Sequence, residues 1–340
     1  MSLDNLEIHI CSCARHEHML LNLINSIKEF DFLAYKPIII FEDEKDPISF
    51  GYRNKLEKLG AYIFSHKISN ALKYLDKRYE YFFKYLISDD FQWTPGPTIL
   101  SKFLYPINQN KSILSMDSDI VFLNYPNQIK SFILENKPFF ISDIQDAYSE
   151  ISQDPHDPFK PLDLLDTRIN IGLFFIENFN LNSFLETMDY TAKYILAADL
   201  KNKSLVDDLP HPWYSSQTMM AFYLRKMNSI SLDLDKYYLQ GDHTKLREKV
   251  EKELNKKISN LEFLFKYIPP INFKTVEALH LTTPARKYLE DIIFLNIFYK
   301  NNENLPLELF KKKHFNVRFR ELIKLINTRE VNKIDYGQKH

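Results

Sequence analysis

Asp117, Ser118 and Asp119 follow directly on the apolar run Ser112-Ile113-Leu114-Ser115-Met116. Alternation along an extended chain turns Asp117 and Asp119 to one side and Ser118 to the other. Two carboxylates so placed at the end of a buried strand repel each other unless a cation or hydrogen-bond donors neutralise them. The chemistry this suits is coordination of a hard divalent ion, Mn²⁺ or Mg²⁺, which takes oxygen ligands and keeps open positions for substrate phosphates. Acid-x-acid triplets are also common in loops and caps, so position decides what this one means. In open α/β sheets ligands sit beyond the carboxyl ends of strands, and these acids fall there.

The elements that must carry them read as α/β. Short apolar runs alternate with amphipathic segments in the first half of the chain, the pattern of a mostly parallel sheet flanked by helices. Strands are expected at Ile8–Ser12, Pro37–Phe41, Ala61–Phe64, Ser112–Met116, Ile120–Leu123, Phe139–Ser142 and Ile171–Ile176, with helices at Met19–Phe30, about Ala71–Leu86 and Thr98–Leu104. Asp154 to Pro161 holds three prolines in eight residues and reads as a loop. Beyond Asn180 the chain turns helical, with Leu181–Ala198 and Ser215–Met227 as candidates, before Glu277–Leu281 returns to strand-like composition.

Composition narrows the class. A chain of 340 residues that is 45% hydrophobic and 26% charged has ample length for a core. The expected organisation is one enzyme body over residues 1–285 and a basic, helical extension over 286–340. Net charge of −1 gives no global basic character to suggest nucleic acid as a partner. Between Lys311 and His340 nine Lys/Arg stand against three acids, a solvated face or a peripheral contact with anionic lipid at the inner face of a membrane. The first residues do not read as a secretory signal and no stretch reaches the ~20 apolar residues of a spanning helix, so a cytoplasmic protein is expected. Cys11 and Cys13 are too close in sequence for a structural disulfide.

The segment Ser101-Lys102-Phe103-Leu104-Tyr105-Pro106, continued through Ile113 to Val121, resembles the helix, strand and Asp-x-Asp segment of GT-A glycosyltransferases, particularly those of family 8. Three further segments match in order. Phe139-Phe140-Ile141-Ser142-Asp143 resembles the strand that ends in an acid near the donor sugar. Ile169 to Ile176 resembles the Asn-x-Gly strand, with Asn170 on donor or acceptor and Gly172 permitting close backbone approach. His280-Leu281-Thr282-Thr283-Pro284-Ala285-Arg286 resembles the late His-x-x-Gly-x-x-Lys segment, Thr283 and Arg286 standing where glycine and lysine are usual. The resemblance covers about residues 98–290 and implies a GT-A fold with a helical C-terminal extension. It also implies His280 as the third metal ligand beside Asp117 and Asp119, and Arg286 on the diphosphate, where a guanidinium adds bidentate recognition. Gln217, in Ser215-Ser216-Gln217, would lie near the reacting sugar.

The expected reaction moves a glycosyl group from a nucleotide-sugar, a UDP-sugar by preference, to a hydroxyl of a glycan or lipid-linked acceptor. Ser12, Cys13 and Arg15, after the first strand, are expected to border the nucleoside, and Asp117, Ser118, Gly172 and Arg286 the diphosphate and metal. A retaining enzyme needs no dedicated base, whereas an inverting one needs a carboxylate, for which Asp143, Asp146 and Asp166 are available. Two other classes stay open: a metal-dependent sugar nucleotidyltransferase, which would ordinarily show a glycine-rich phosphate loop where this chain has Cys13-Ala14-Arg15-His16, and a non-catalytic sugar-binding protein.

Overall fold

The structure is a computed structural model and describes residues 5–33, 35–67, 70–71, 73, 102–142, 169–189, 220–240, 244–268, 271–281, 285–300 and 313–327. Strands β1 (Leu6–Ser12), β2 (Ile38–Asp43), β3 (Ala61–His66) and β4 (Ser112–Asp117) run parallel, and helices α1 (Glu17–Glu29) and α2 (Phe50–Lys58) join the first three. Strand β5 (Ile120–Phe122), helix α3 (Asn127–Leu134) and strand β6 (Phe139–Ser142) follow, then β7 (Ile169–Ile176) and the two-residue β8 (Ile230–Ser231). The large sheet has the order β3-β2-β1-β4-β7-β6-β8. Among the described strands of this sheet, only β7 runs against its neighbours, β4 and β6. The mostly parallel, helix-flanked sheet that the sequence leads one to expect is therefore present.

Pattern explains the layers. On β1, Leu6, Ile8 and Ile10 point to one face, joined by Ile38, Ile40, Leu114 and Met116. Helix α1 covers that face with Leu20, Leu23, Ile24 and Ile27, the i, i+3, i+4, i+7 stripe of an amphipathic helix. The alternate residues Cys11, Phe41, Ile113 and Phe174 meet Phe103, Phe179, Phe184 and Tyr223 on the other face. Phe103 sits 5.4 Å and 5.5 Å, centroid to centroid, from Phe179 and Phe184, within the range of favourable tilted aromatic pairs.

A second, smaller sheet decides where the acids go. Strand β10 (Ala278–Leu281) lies between β5, antiparallel, and β9 (Tyr237–Gln240), parallel. The chain thus leaves the large sheet at Asp117 and enters the small one at Ile120, with Ser118 and Asp119 as the crossing. Behind the small sheet pack α4 (Thr244–Leu254), α5 (Asn260–Tyr267), α6 (Leu289–Lys300) and α7 (Lys313–Asn327), around Phe263, Leu264, Ile292, Leu295 and Leu322. Ser259 begins α5 by accepting the Glu262 amide at 3.0 Å, half of a capping box. Asn124 ties the end of β5 to the turn before β10 by donating to the Phe273 and Val276 carbonyls at 2.9 Å and 2.6 Å.

Several boundaries differ from the sequence reading. Strand β1 begins two residues earlier and β7 also starts two earlier, at Ile169, because both are paired on two sides and the ladder extends past the most apolar core residues. Lys102–Leu104 form a 3₁₀ turn ending at Tyr105, where Pro106 precludes continuation as an α-helix. The described part of the helix expected from Leu181 spans 181–189, and that of the helix expected from Ser215 spans 220–226. Most of Ala71–Leu86 and the loop from Asp154 to Pro161 lie outside the described residues. No helix among the described residues is long and apolar enough to cross a membrane.

Candidate active site

Asp117 closes β4 opposite Cys11 of β1. The pairing of β10 with β5 sets His280 opposite Ile120, and the Leu281 amide donates to the Asp119 carbonyl at 3.0 Å, so His280 reaches the acids through a backbone ladder. Its Nε2 lies 3.2 Å from Asp119 Oδ1 and 3.7 Å from Asp117 Oδ2. One ligand atom from each of the three residues falls within 4.8 Å of the others. Adjacent ligands of an octahedral Mg²⁺ or Mn²⁺ ion stand about 3 Å apart, given bonds of about 2.1 Å. The two-oxygen, one-nitrogen set suits such an ion. Asp119 Oδ1 is buried and faces only the His280 ring among the described residues, so an ion there would take the place of a ring proton.

The electrostatics follow from crowding. Burial, reinforced by the Asp119 charge, pushes Asp117 up to about 6. Burial works in the same direction on Asp119, but His280 and Arg286 outweigh it and hold that carboxyl well below the usual range. His280 is raised against the cost of its own burial because Asp119 and then Asp117 favour its charged form. Arg286 stands in the 3₁₀ turn Ala285–Tyr288 that follows β10. Its Nε and Nη2 donate to Asp119 Oδ2 at 2.9 Å and 2.6 Å, leaving Oδ1 toward His280. Its Nη1 donates to His16 Nε2 at 2.6 Å. Arginine has no acceptor to offer, so His16 is neutral with its proton on Nδ1, which points to Cys13 Sγ at 3.8 Å. Burial and then Arg286 push His16 down to about 4, which agrees.

The opposite wall is β7. A register shift between Phe140 and Ile141 makes Phe140 face Phe174 and Ile141 face Asn170. The irregular segment is held by Asn170 Oδ1, which accepts the Gly172 amide at 2.8 Å, a side chain taking over for the ladder. A Cβ on Gly172 would overlap His280 Cε1 and lie 2.5 Å from Nδ1. The close approach that Gly172 permits is thus to the His280 ring. Beneath Asp117, Lys102 is buried at 1% exposure and donates to Ser115 Oγ at 2.7 Å. Its charge lowers Asp117, against the burial that raises it.

No protein-family model matches the sequence, and no characterised protein matches it in sequence. Compared by structure, the chain is similar to the galactosyltransferase LgtC in complex with donor and acceptor sugar analogues, at 10% identity and a TM-score of 0.45 over 82% of this chain and 88% of that one. It is also similar to mouse xyloside xylosyltransferase 1 in its apo form (12% identity, TM-score 0.43, 83% and 98% of the two chains). A third is the apo bifunctional glycosyltransferase WbbM (13% identity, TM-score 0.49), of which the chain spans 51% while matching over 92% of its own length.

Of the residues singled out in the sequence, the fold brings together Asp117, Asp119, His280, Arg286, Gly172 and Asn170. Ser118, between the acids, is buried. Ser12 is buried, and its Oγ makes no hydrogen bond among the described residues. Cys13 meets His16 rather than open solvent, and Cys11 is a separate buried thiol. Arg15 is 57% exposed and pairs with Asp46 at 3.0 Å. Asp143, Asp146, Asp166 and Gln217 lie outside the described residues. Two residues escaped the sequence reading. His16 directly follows Cys13-Ala14-Arg15, and its place after the first strand was the available signal. Lys102 had none, since a lysine on an apolar turn reads as a solvated one.

Proposed function

We propose that the protein is a metal-dependent glycosyltransferase that takes its sugar from a nucleoside-diphosphate donor, a UDP-sugar by preference, and passes it to a hydroxyl of a glycan or lipid-linked acceptor. One observation carries this reading: two acids and a histidine converge beyond β4 with open valence, and a guanidinium shares one of the acids. Asp117, Asp119 and His280 would hold Mn²⁺ or Mg²⁺, which supplies Lewis-acid stabilisation of the leaving diphosphate. Arg286 holds Asp119 in orientation and offers its remaining N–H groups to phosphate oxygens, where charge develops as the glycosidic bond breaks. The β4 and β7 ends bury the carboxylates, and low dielectric strengthens each of these interactions. Asn170 keeps β7 in the shape that seats His280. Ser12, Cys13 and Arg15 border the nucleoside, and Asp143 and Gln217 complete the sugar side.

The test is a thermal-shift panel of UDP, GDP and nucleoside triphosphates with and without Mn²⁺, followed by assay of slow nucleotide-sugar hydrolysis. A nucleoside diphosphate at about 100 times its dissociation constant stabilises the fold by about 2.7 kcal/mol, and Asp119→Ala removes the metal-dependent part. An undiminished response in that variant overturns the site. Consumption of triphosphate in place of nucleotide-sugar identifies a nucleotidyltransferase instead.

A further inference from the structure

Arg286 grips Asp119 through a single oxygen. Both Nε and Nη2 donate to Oδ2, and a guanidinium held on one atom is free to pivot about it. The bond from Nη1 to His16 Nε2 at 2.6 Å is the second anchor that stops the rotation. It spans 270 residues of sequence and joins the turn after β10 to the turn after β1. His16 is itself fixed, because its amide donates to the Cys13 carbonyl at 3.0 Å, the Ala14 amide to the Asp46 carbonyl at 2.9 Å, and Arg15 Nε to Asp46 Oδ2 at 3.0 Å. Three of the five guanidinium N–H groups are thereby spent among the described residues, and two remain for a ligand.

We propose that His16 is a positioning residue for donor binding: its imidazole nitrogen locks the Arg286 fork so that the two unspent N–H groups are presented to the diphosphate while Asp119 keeps its other oxygen for the metal. The inference rests on reading the site as one for a nucleoside diphosphate. It follows from the chemistry of the pair. An arginine beside an imidazole is unfavourable unless the imidazole is neutral and turns a bare nitrogen toward it, and because a guanidinium can only donate, the Arg286 bond itself selects that tautomer. Any orienting effect on Asp119 and any effect on phosphate pass through the same guanidinium, so His16 acts only where Arg286 is present.

That dependence makes a double-mutant cycle the decisive experiment. UDP and GDP are titrated calorimetrically, with saturating Mn²⁺, into wild type, His16→Ala, His16→Gln, Arg286→Ala and the His16→Ala/Arg286→Ala double variant. The expected result is that H16A weakens binding about tenfold, the worth of one hydrogen bond to a charged group. H16Q, which returns an acceptor oxygen, restores affinity to within about twofold, and H16A adds less than about twofold once Arg286 is gone. Melting curves identify variants that do not fold; if H16A is one, His16→Leu replaces it, keeping bulk without an acceptor. Equal losses from H16A in both backgrounds, an H16Q variant as weak as H16A, or an H16A variant with wild-type affinity each overturn the inference. A wild-type protein that binds neither nucleotide overturns the site reading and this inference together.

Discussion

At the carboxyl ends of β2 and β4, Glu42 and the pair Asp117 and Asp119 meet opposite fates. Glu42 of β2 is 2% exposed, and its carboxylate is closed off by Arg53 Nη2 at 2.6 Å and 2.7 Å and by the Ile48 amide at 2.9 Å. Two strands away, Asp117 and Asp119 share the His280 imidazole, Arg286 holds Asp119 Oδ2, and Asp119 Oδ1 has only that imidazole, at 3.2 Å, as a polar neighbour among the described residues. The first arrangement completes its own valence and reads as architecture. The second stores repulsion that a divalent ion would relieve. Position at a strand end is common to both, so what marks the second pair as the candidate site is its incomplete satisfaction.

That contrast is open to attack by mutation. The largest effect belongs to Asp117→Asn, which lowers Mn²⁺ affinity more than about 100-fold by removing one of three charged or basic ligands. In EDTA the same variant melts higher than wild type at pH 7.5. A carboxyl raised to about 6 in the folded protein costs stability above that pH, on the order of 1–3 kcal/mol from the size of the shift. A lower melting point would show the acid pair to be structural after all.

Glu42→Ala reverses the pattern. Breaking a buried pair strands Arg53, whose side chain is 30% exposed and so partly rescued by water. The expected loss is about 2–3 kcal/mol of folding stability in urea denaturation, with Mn²⁺ affinity unchanged among the folded molecules. Gly172→Ala comes next: the methyl group displaces the His280 ring and weakens Mn²⁺ about tenfold, while Gly51→Ala, with open space around it, leaves affinity as it was.

The smallest effect is that of pH. Metal ligation needs Asp117 ionised and His280 neutral, and both are raised in the folded protein. Ions therefore displace protons, and Mn²⁺ affinity climbs across about pH 5.5–7.5 as Asp117, near 6, and then His280, raised above its ordinary value, give up theirs. A flat profile from isothermal titration across that range would exclude both groups as ligands.

How far the sequence reached follows the same division. The β2 run Ile38-Ile39-Ile40-Phe41 and the α1 stripe are local patterns, and their elements were legible to within two residues at most ends. The acid pair was legible because both members and their strand lie within eight residues of one another. His280 and Arg286 were within reach only through resemblance, since nothing local links them to residues some 160 positions earlier. The His16–Arg286 bond, the two-residue β8 and the reason for Gly172 were beyond reach. Each is created by strands that meet only after the chain has folded back, and hydrophobic periodicity records which face is buried, not what it is buried against.

The crossing at Ser118 and Asp119 also sets a timetable. A ribosome adding roughly 5–20 residues per second exposes both aspartates some ten to thirty seconds before His280 and Arg286 emerge. Through that interval the nascent large sheet carries a pair of anions with neither of their eventual neutralisers, and β5 has no β10 to pair with. The two acids consequently gain their neutralising partners late, once β10 has been made and can pair with β5.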